Sequence, residues 1–220
     1  QRQMCIRDRV YSAAVTGIYA VPVEVQADVT PGIPYFELTG NLAGTTKEAK
    51  ERVRIAIKNS KFQINPSKIT INMIPANIRK EGTAYDLAVA VAVLTAVGVI
   101  AAKKVSGALF IGELGLDGGI CNVSSILPMT LCARDNGFTI CYVPMGNIGE
   151  ASLVTGIRVI GISSLRECVD YINNGCNCRA HVDNNIDNAA DNNIDFADIR
   201  GQASAKRAIT IAAAARHNLM

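Results

Sequence analysis

Three groups of residues in this chain have types and spacings that could do chemistry. Asp86 and Glu113 are two carboxylates in otherwise apolar surroundings, the kind of pair used for acid–base or divalent-metal work. Asp86 also has a local explanation. In Gly82-Thr83-Ala84-Tyr85-Asp86, Thr83 is placed to cap a following helix and Asp86 falls at its third position, facing the positive end of the dipole. The pair is therefore read as structural. Cys176, Cys178 and His181 are all metal-ligand types within six residues. Structural zinc takes four ligands, usually built on C-x-x-C pairs, and here the spacing is C-x-C with no second half nearby, so no metal site is assigned. Lys47, Lys50, Arg54 and Lys58 fall on the outward side of a helix, with Lys61 just beyond and Arg79 and Lys80 at a later turn. Such a basic patch could track the phosphate backbone of DNA. It could equally be a solvated face supported by Glu48–Arg52 pairing and by Glu51, and Phe62 is the one aromatic seen among these cations.

The elements that must hold these residues follow from periodicity. The chain has 220 residues, 49% of them apolar, enough for a real core and enough to exclude disorder as its main state. Lys and Arg number 22 against 19 Asp and Glu, so a net charge of +3 gives no bulk attraction to nucleic acid and any contact must be local. The seven cysteines, odd in number and irregular in spacing, read as reduced thiols, and the charged N-terminus lacks the apolar run of a signal peptide. A cytoplasmic location is expected. Leu87–Ala102 is uncharged over sixteen residues but short of a membrane span, which predicts a buried helix and no membrane contact.

Alternation over Val21–Ala27 predicts a strand, placed at a sheet edge because Pro22 lacks an amide donor. Thr45 and Glu48 form a capping-box pattern ahead of a helix from about residue 46 to 59. Further strands are predicted at 69–73, 108–111, 140–143 and 158–162, and helices at 127–136 and, behind a Ser164/Glu167 capping box, 165–172. This is an α+β chain with a mixed sheet. Residues 173–194 turn to Asn, Asp, Gly and Ala and read as a linker. A second segment, 195–220, contains an alanine-rich helix with nothing left to pack on, as if cut inside a further domain.

Four ordered blocks resemble the magnesium-chelatase-like AAA+ ATPases of the YifB/ComM family. The first comprises Val10–Gly17, Val23-Glu24-Val25, Gly32-Ile33-Pro34 and Lys47–Arg54. Ile71–Gly82 is similar to the family's N-L-A-P-A-[DN]-x-x-K-E-G block, and Ile111–Gly118 to its V-G-E-L-x-L-x-G block. Asp195–Met220 resembles the run that leads into the Walker A loop, while residues 1–9 match nothing in the family.

The resemblance implies a Lon-protease-like domain over residues 10–172, of the ribosomal-protein-S5-domain-2-like α+β class, followed by the start of an α/β AAA+ module. Lon-type peptidases use a Ser-Lys dyad, the lysine desolvated to act as base. By overlay Ala84 falls at the nucleophile and Leu127 near the lysine, and no lysine occurs from Val105 to Ala205. Ser124 and Ser125 are the nearest serines but have no base, so no catalytic residue is expected. Ile199, Gly201 and Gln202 would form the adenine-side lip of a nucleotide site. The G-x-x-x-x-G-K-[ST] loop is absent from this sequence, so the chain itself should bind no nucleotide. For the parent the resemblance implies ATP and Mg2+, a hexameric ring, and action on DNA as a translocase or branch-migration helicase. A Lon-type serine peptidase and a magnesium-chelatase ATPase subunit are the alternatives.

Overall fold

A computed structural model describes residues 9–175 and 201–215. The chain divides into two units, residues 1–184 and 185–220. The first unit contains, in chain order, β1 (Arg9–Thr16), β2 (Tyr19–Pro31), β3 (Tyr35–Thr39), α1 (Gly44–Lys47), α2 (Ala49–Asn59), β4 (Ser67–Ile74), α3 (Asp86–Ala96), α4 (Ala102–Val105), β5 (Ala108–Phe110), β6 (Glu113–Leu114), β7 (Ile120–Cys121), α5 (Ile126–Asp135), β8 (Ile140–Pro144), α6 (Ile148–Ala151), β9 (Arg158–Ile162) and α7 (Leu165–Asn174). The second contributes α8 (Ala203–Ala215).

The expected α+β class with a mixed sheet is what the chain forms. Seven strands run in the order β3-β4-β2-β1-β5-β8-β9, and β6 and β7 make a separate hairpin. β1, β5, β8 and β9 are mutually parallel, β2 is antiparallel to both β1 and β4, and β3 runs parallel to β4 at the edge. Strict alternation sorts the side chains of the parallel strands onto two faces. Phe110, Tyr142, Ile160 and Ile162 join a large cluster built on α2, α3 and α7. Leu109, Ile111, Cys141, Val143 and Val159 join a second one with residues of α5 and α6. At the other end of the sheet, Ile69, Ile71 and Met73 of β4 and Phe36 and Leu38 of β3 feed only the first cluster. α3 is apolar all round, and each residue from Asp86 to Thr95 is buried, as expected of a helix inside a core.

Some expectations need correcting. β2 is an interior strand, lying between β1 and β4, and β4 pairs with it from Glu24 to Pro31. Pro22 lies beyond that stretch, where β2 has β1 as neighbour on one side only, so its missing donor is tolerated without a sheet edge. The Thr45/Glu48 capping box does not form. The segment is broken into α1 and α2, and Thr46 is buried, its hydroxyl donating to the carbonyls of Lys80 and Gly82. The Ser164 cap does form, with Ser164 Oγ accepting from the Glu167 amide at 3.2 Å.

Thr83 does not cap α3 and Asp86 opens that helix rather than lying third in it. Asp86 is closed off from solvent, and its carboxylate accepts from Arg52 Nε at 2.8 Å, Arg52 Nη2 at 3.1 Å and the Leu114 amide at 3.3 Å. Burial pushes this carboxyl up from 3.8 to about 6, against the opposing pull of Arg52. The folded chain holds the proton to higher pH than the unfolded chain does. The stability this group contributes is therefore present below its unfolded value and lost as pH rises through about 6. Removing the guanidinium as Arg52→Met leaves a buried charge uncompensated and costs about 3–5 kcal/mol near neutral pH. The deficit shrinks as the acid is neutralised, so urea unfolding of both proteins above and below the Asp86 transition measures the effect. An equal deficit on both sides would show that Arg52 is not acting on Asp86.

Candidate functional site: a cavity of hydroxyls and a basic groove

The turn before α3 is held on both sides. The Gly112 amide donates to the Ala84 carbonyl at 2.9 Å, and the Leu87 amide donates to the Gly112 carbonyl at 3.0 Å. This places Ala84 in the wall of a cavity of about 490 Å³ shared with Thr83, Glu113, Ser124 and Ser125. The segment carrying the serines is pinned by Asn147, whose side chain accepts from the Val123 amide and donates to its carbonyl at 2.9 and 3.0 Å. Ser125 takes a left-handed conformation, φ 61°, directly before α5.

The positions that the sequence overlay joins are thus partly joined in space. Ala84 and both serines share the cavity, whereas Leu127 is outside its lining, half-buried, with its amide donating to Glu150 Oε1 at 3.3 Å. Thr83 donates its hydroxyl to Glu113, so Glu113 and Asp86 are engaged by separate partners. Among the described residues the lining has hydroxyls, an amide and carboxylates but no lysine, arginine or histidine. The Ser-Lys arrangement needs a lysine beside its serine, and the described lining supplies hydroxyls and carboxylates that can hydrogen-bond a guest.

The basic residues separate into three places. Lys47, Lys50, Arg54 and Lys58 are exposed on α1 and α2. Lys50, Arg54, Lys58 and Lys61 line one open groove of about 1000 Å³, which Lys47 does not. Arg79 is exposed elsewhere and pairs with Glu81 at 3.0 Å. Lys80 corrects the expectation: it is fully buried, its ammonium donates to the Pro75 carbonyl, and burial lowers its pKa, so it cannot belong to a solvent-facing patch. Its backbone ties two loops together, the Lys80 amide donating to the Asn41 carbonyl and its carbonyl accepting from the Ala43 amide.

The groove also shows what the sequence reading missed. Tyr35 and Phe36 of β3 line it together with Phe62, so aromatic rings do accompany the cations. The alternating run from Tyr35 to Thr39 was a legible strand signal.

In the second unit Gly201 and Gln202 are exposed and both lie in the left-handed region, φ 72° and 55°, in the turn into α8. Ile199, Cys176, Cys178 and His181 lie outside the described residues.

Comparison with known proteins fixes the family. A family model described as subunit ChlI of magnesium chelatase matches residues 25–147, more than half of the chain. Competence protein ComM of Haemophilus influenzae is 34% identical over 215 residues, covering 96% of this chain and 42% of its own length. An uncharacterised protein of Mycobacterium tuberculosis is 34% identical over 212 residues, with the same coverages, and YifB of Escherichia coli is 32% identical over 212 residues, covering 96% and 41%. The chain thus spans about two-fifths of the length of these relatives. Taken with the ordered blocks and the fold that carries them, these matches make the chain a member of the magnesium-chelatase-like YifB/ComM family.

Proposed function

We propose that this chain is the non-proteolytic, Lon-protease-like N-terminal part of a cytoplasmic AAA+ ATPase that assembles as a hexameric ring and moves along DNA. The observation that carries the non-proteolytic reading is the cavity at the head of α3. It has Ala84 in its wall and, among the described residues, no lysine, arginine or histidine in its lining. The motor reading is supported by the family, by the resemblance of 195–220 to a pre-Walker segment, and by the competence-protein name of one relative.

ATP and Mg2+ belong to the parent protein in this reading. Ile199, Gly201 and Gln202 are the adenine-side residues, and the bound nucleotide supplies the free energy for movement. Gly201 and Gln202 provide an exposed turn into α8, but the sequence holds no phosphate-gripping loop, so no hydrolytic step is assigned to these residues. The exposed cations Lys47, Lys50, Arg54, Lys58 and Arg79 support a DNA-facing role. The alternative of a magnesium-inserting complex is favoured by the description of the matched family, and copurification of partner subunits from the source cells would support it.

Two measurements test the main reading. In the full-length protein, replacing the lysine of the phosphate-binding loop with alanine abolishes ATP turnover; unchanged turnover would remove the motor. A fluorophosphonate probe leaves both the wild-type chain and Ala84→Ser unlabelled, because a restored hydroxyl still lacks the lysine of the dyad. Labelling of Ser124 or Ser125, located by mass spectrometry, would instead make the cavity a hydrolase site.

A further inference from the structure

We infer that the groove between α2 and the sheet-edge strand β3 is a binding site for single-stranded DNA, an inference that rests on the DNA reading above and gives it a place and a substrate form. Lys50, Arg54, Lys58 and Lys61 oppose the single carboxylate Glu51 in the lining, a local net charge of +3. Arg54 is shared with Glu51 at 2.9 Å, whereas Lys50, Lys58 and Lys61 have no carboxylate partner among the described residues. Residues 50, 54 and 58 recur every four positions, so their cations step along α2 by about 6 Å. That repeat suits the phosphates of an extended single strand.

The floor is apolar and aromatic. Phe36 and Phe62 both line the groove while packing against the main core, which holds them in place without hiding them. The Arg166 guanidinium lies 5.6 Å from the centre of the Phe62 ring and donates to the Ser60 carbonyl at 3.2 Å, steadying the loop after α2. A row of cations beside aromatic faces is the combination that holds unpaired bases, because every base has a face to stack and every phosphate a charge to meet. In a duplex the bases are stacked on one another and cannot reach the ring at the bottom of a groove. Among the described residues β3 has no strand on its outer side, so the groove is open along the sheet edge and a strand can lie lengthwise in it.

The test is fluorescence anisotropy of the 220-residue chain with a labelled oligothymidylate. Binding weakens with salt with a log–log slope of roughly −3, as expected for about four single-strand phosphate contacts. Lys50→Glu with Lys58→Glu lowers affinity at least about tenfold and roughly halves the slope. Phe62→Leu lowers affinity by about tenfold while leaving the slope unchanged, which separates stacking from charge. Lys103→Glu, on an exposed face of α4, changes neither, and circular dichroism checks that every variant is folded. Unaltered binding in the double variant, equal affinity for a duplex of the same sequence, or equal competition by polyglutamate would overturn the inference. None of these results would touch the motor reading, which stands or falls on DNA-stimulated ATP turnover by the full-length protein.

Discussion

A carboxylate with no access to water sits at the first turn of α3, and the arrangement around it depends on that charge being satisfied. Asp86 is gripped by two nitrogens of Arg52 from α2 and by the backbone of β6, so three elements far apart in sequence share one ionic contact. Burying a lone carboxylate is costly, and only a close, geometrically matched guanidinium plus an amide makes the position tolerable. The pair fixes how α2 lies over the core. With Arg52 turned inward beside Val53, Ala56 and Ile57, the helical repeat leaves Lys50, Arg54 and Lys58 facing outward.

The same contact anchors the start of α3, beside which the cavity lies. The turn at Thr83–Ala84 is positioned by the start of α3 and by hydrogen bonds to Gly112, none of which needs a side chain at Ala84. Backbone hydrogen bonds therefore shape this wall of the cavity. The sheet is asymmetric in a related way. Its parallel half is buried on both faces and carries the cavity, while β3 and β4 feed one cluster only and leave room for the groove beside α2.

Much of this was readable from residue order. The uncharged run after Asp86 gave α3, short β-rich runs gave β5, β8 and β9 nearly to the residue, and the ordered blocks gave the family. The lack of lysine from Val105 to Ala205 was also plain in the residue order. The misreadings share one cause. Thr83, Thr45 and Pro22 were interpreted from neighbours within a few positions, but Thr83 binds Glu113, the helix after Thr45 is broken where Thr46 binds the backbone near Lys80, and Pro22 is tolerated because of where β4 ends.

By itself the amino-acid order determined most of the larger elements, the family and the lysine-free stretch from Val105 to Ala205, because these are properties of residue type and short-range spacing. Only the tertiary structure decided that Lys80 is interior, that Asp86 is half of an ion pair rather than a helix cap, and that Tyr35, Phe36 and Phe62 meet a row of cations. Those outcomes depend on strand register and on which face of a helix is buried, and such long-range proximity is set by how the whole core closes rather than by any local pattern.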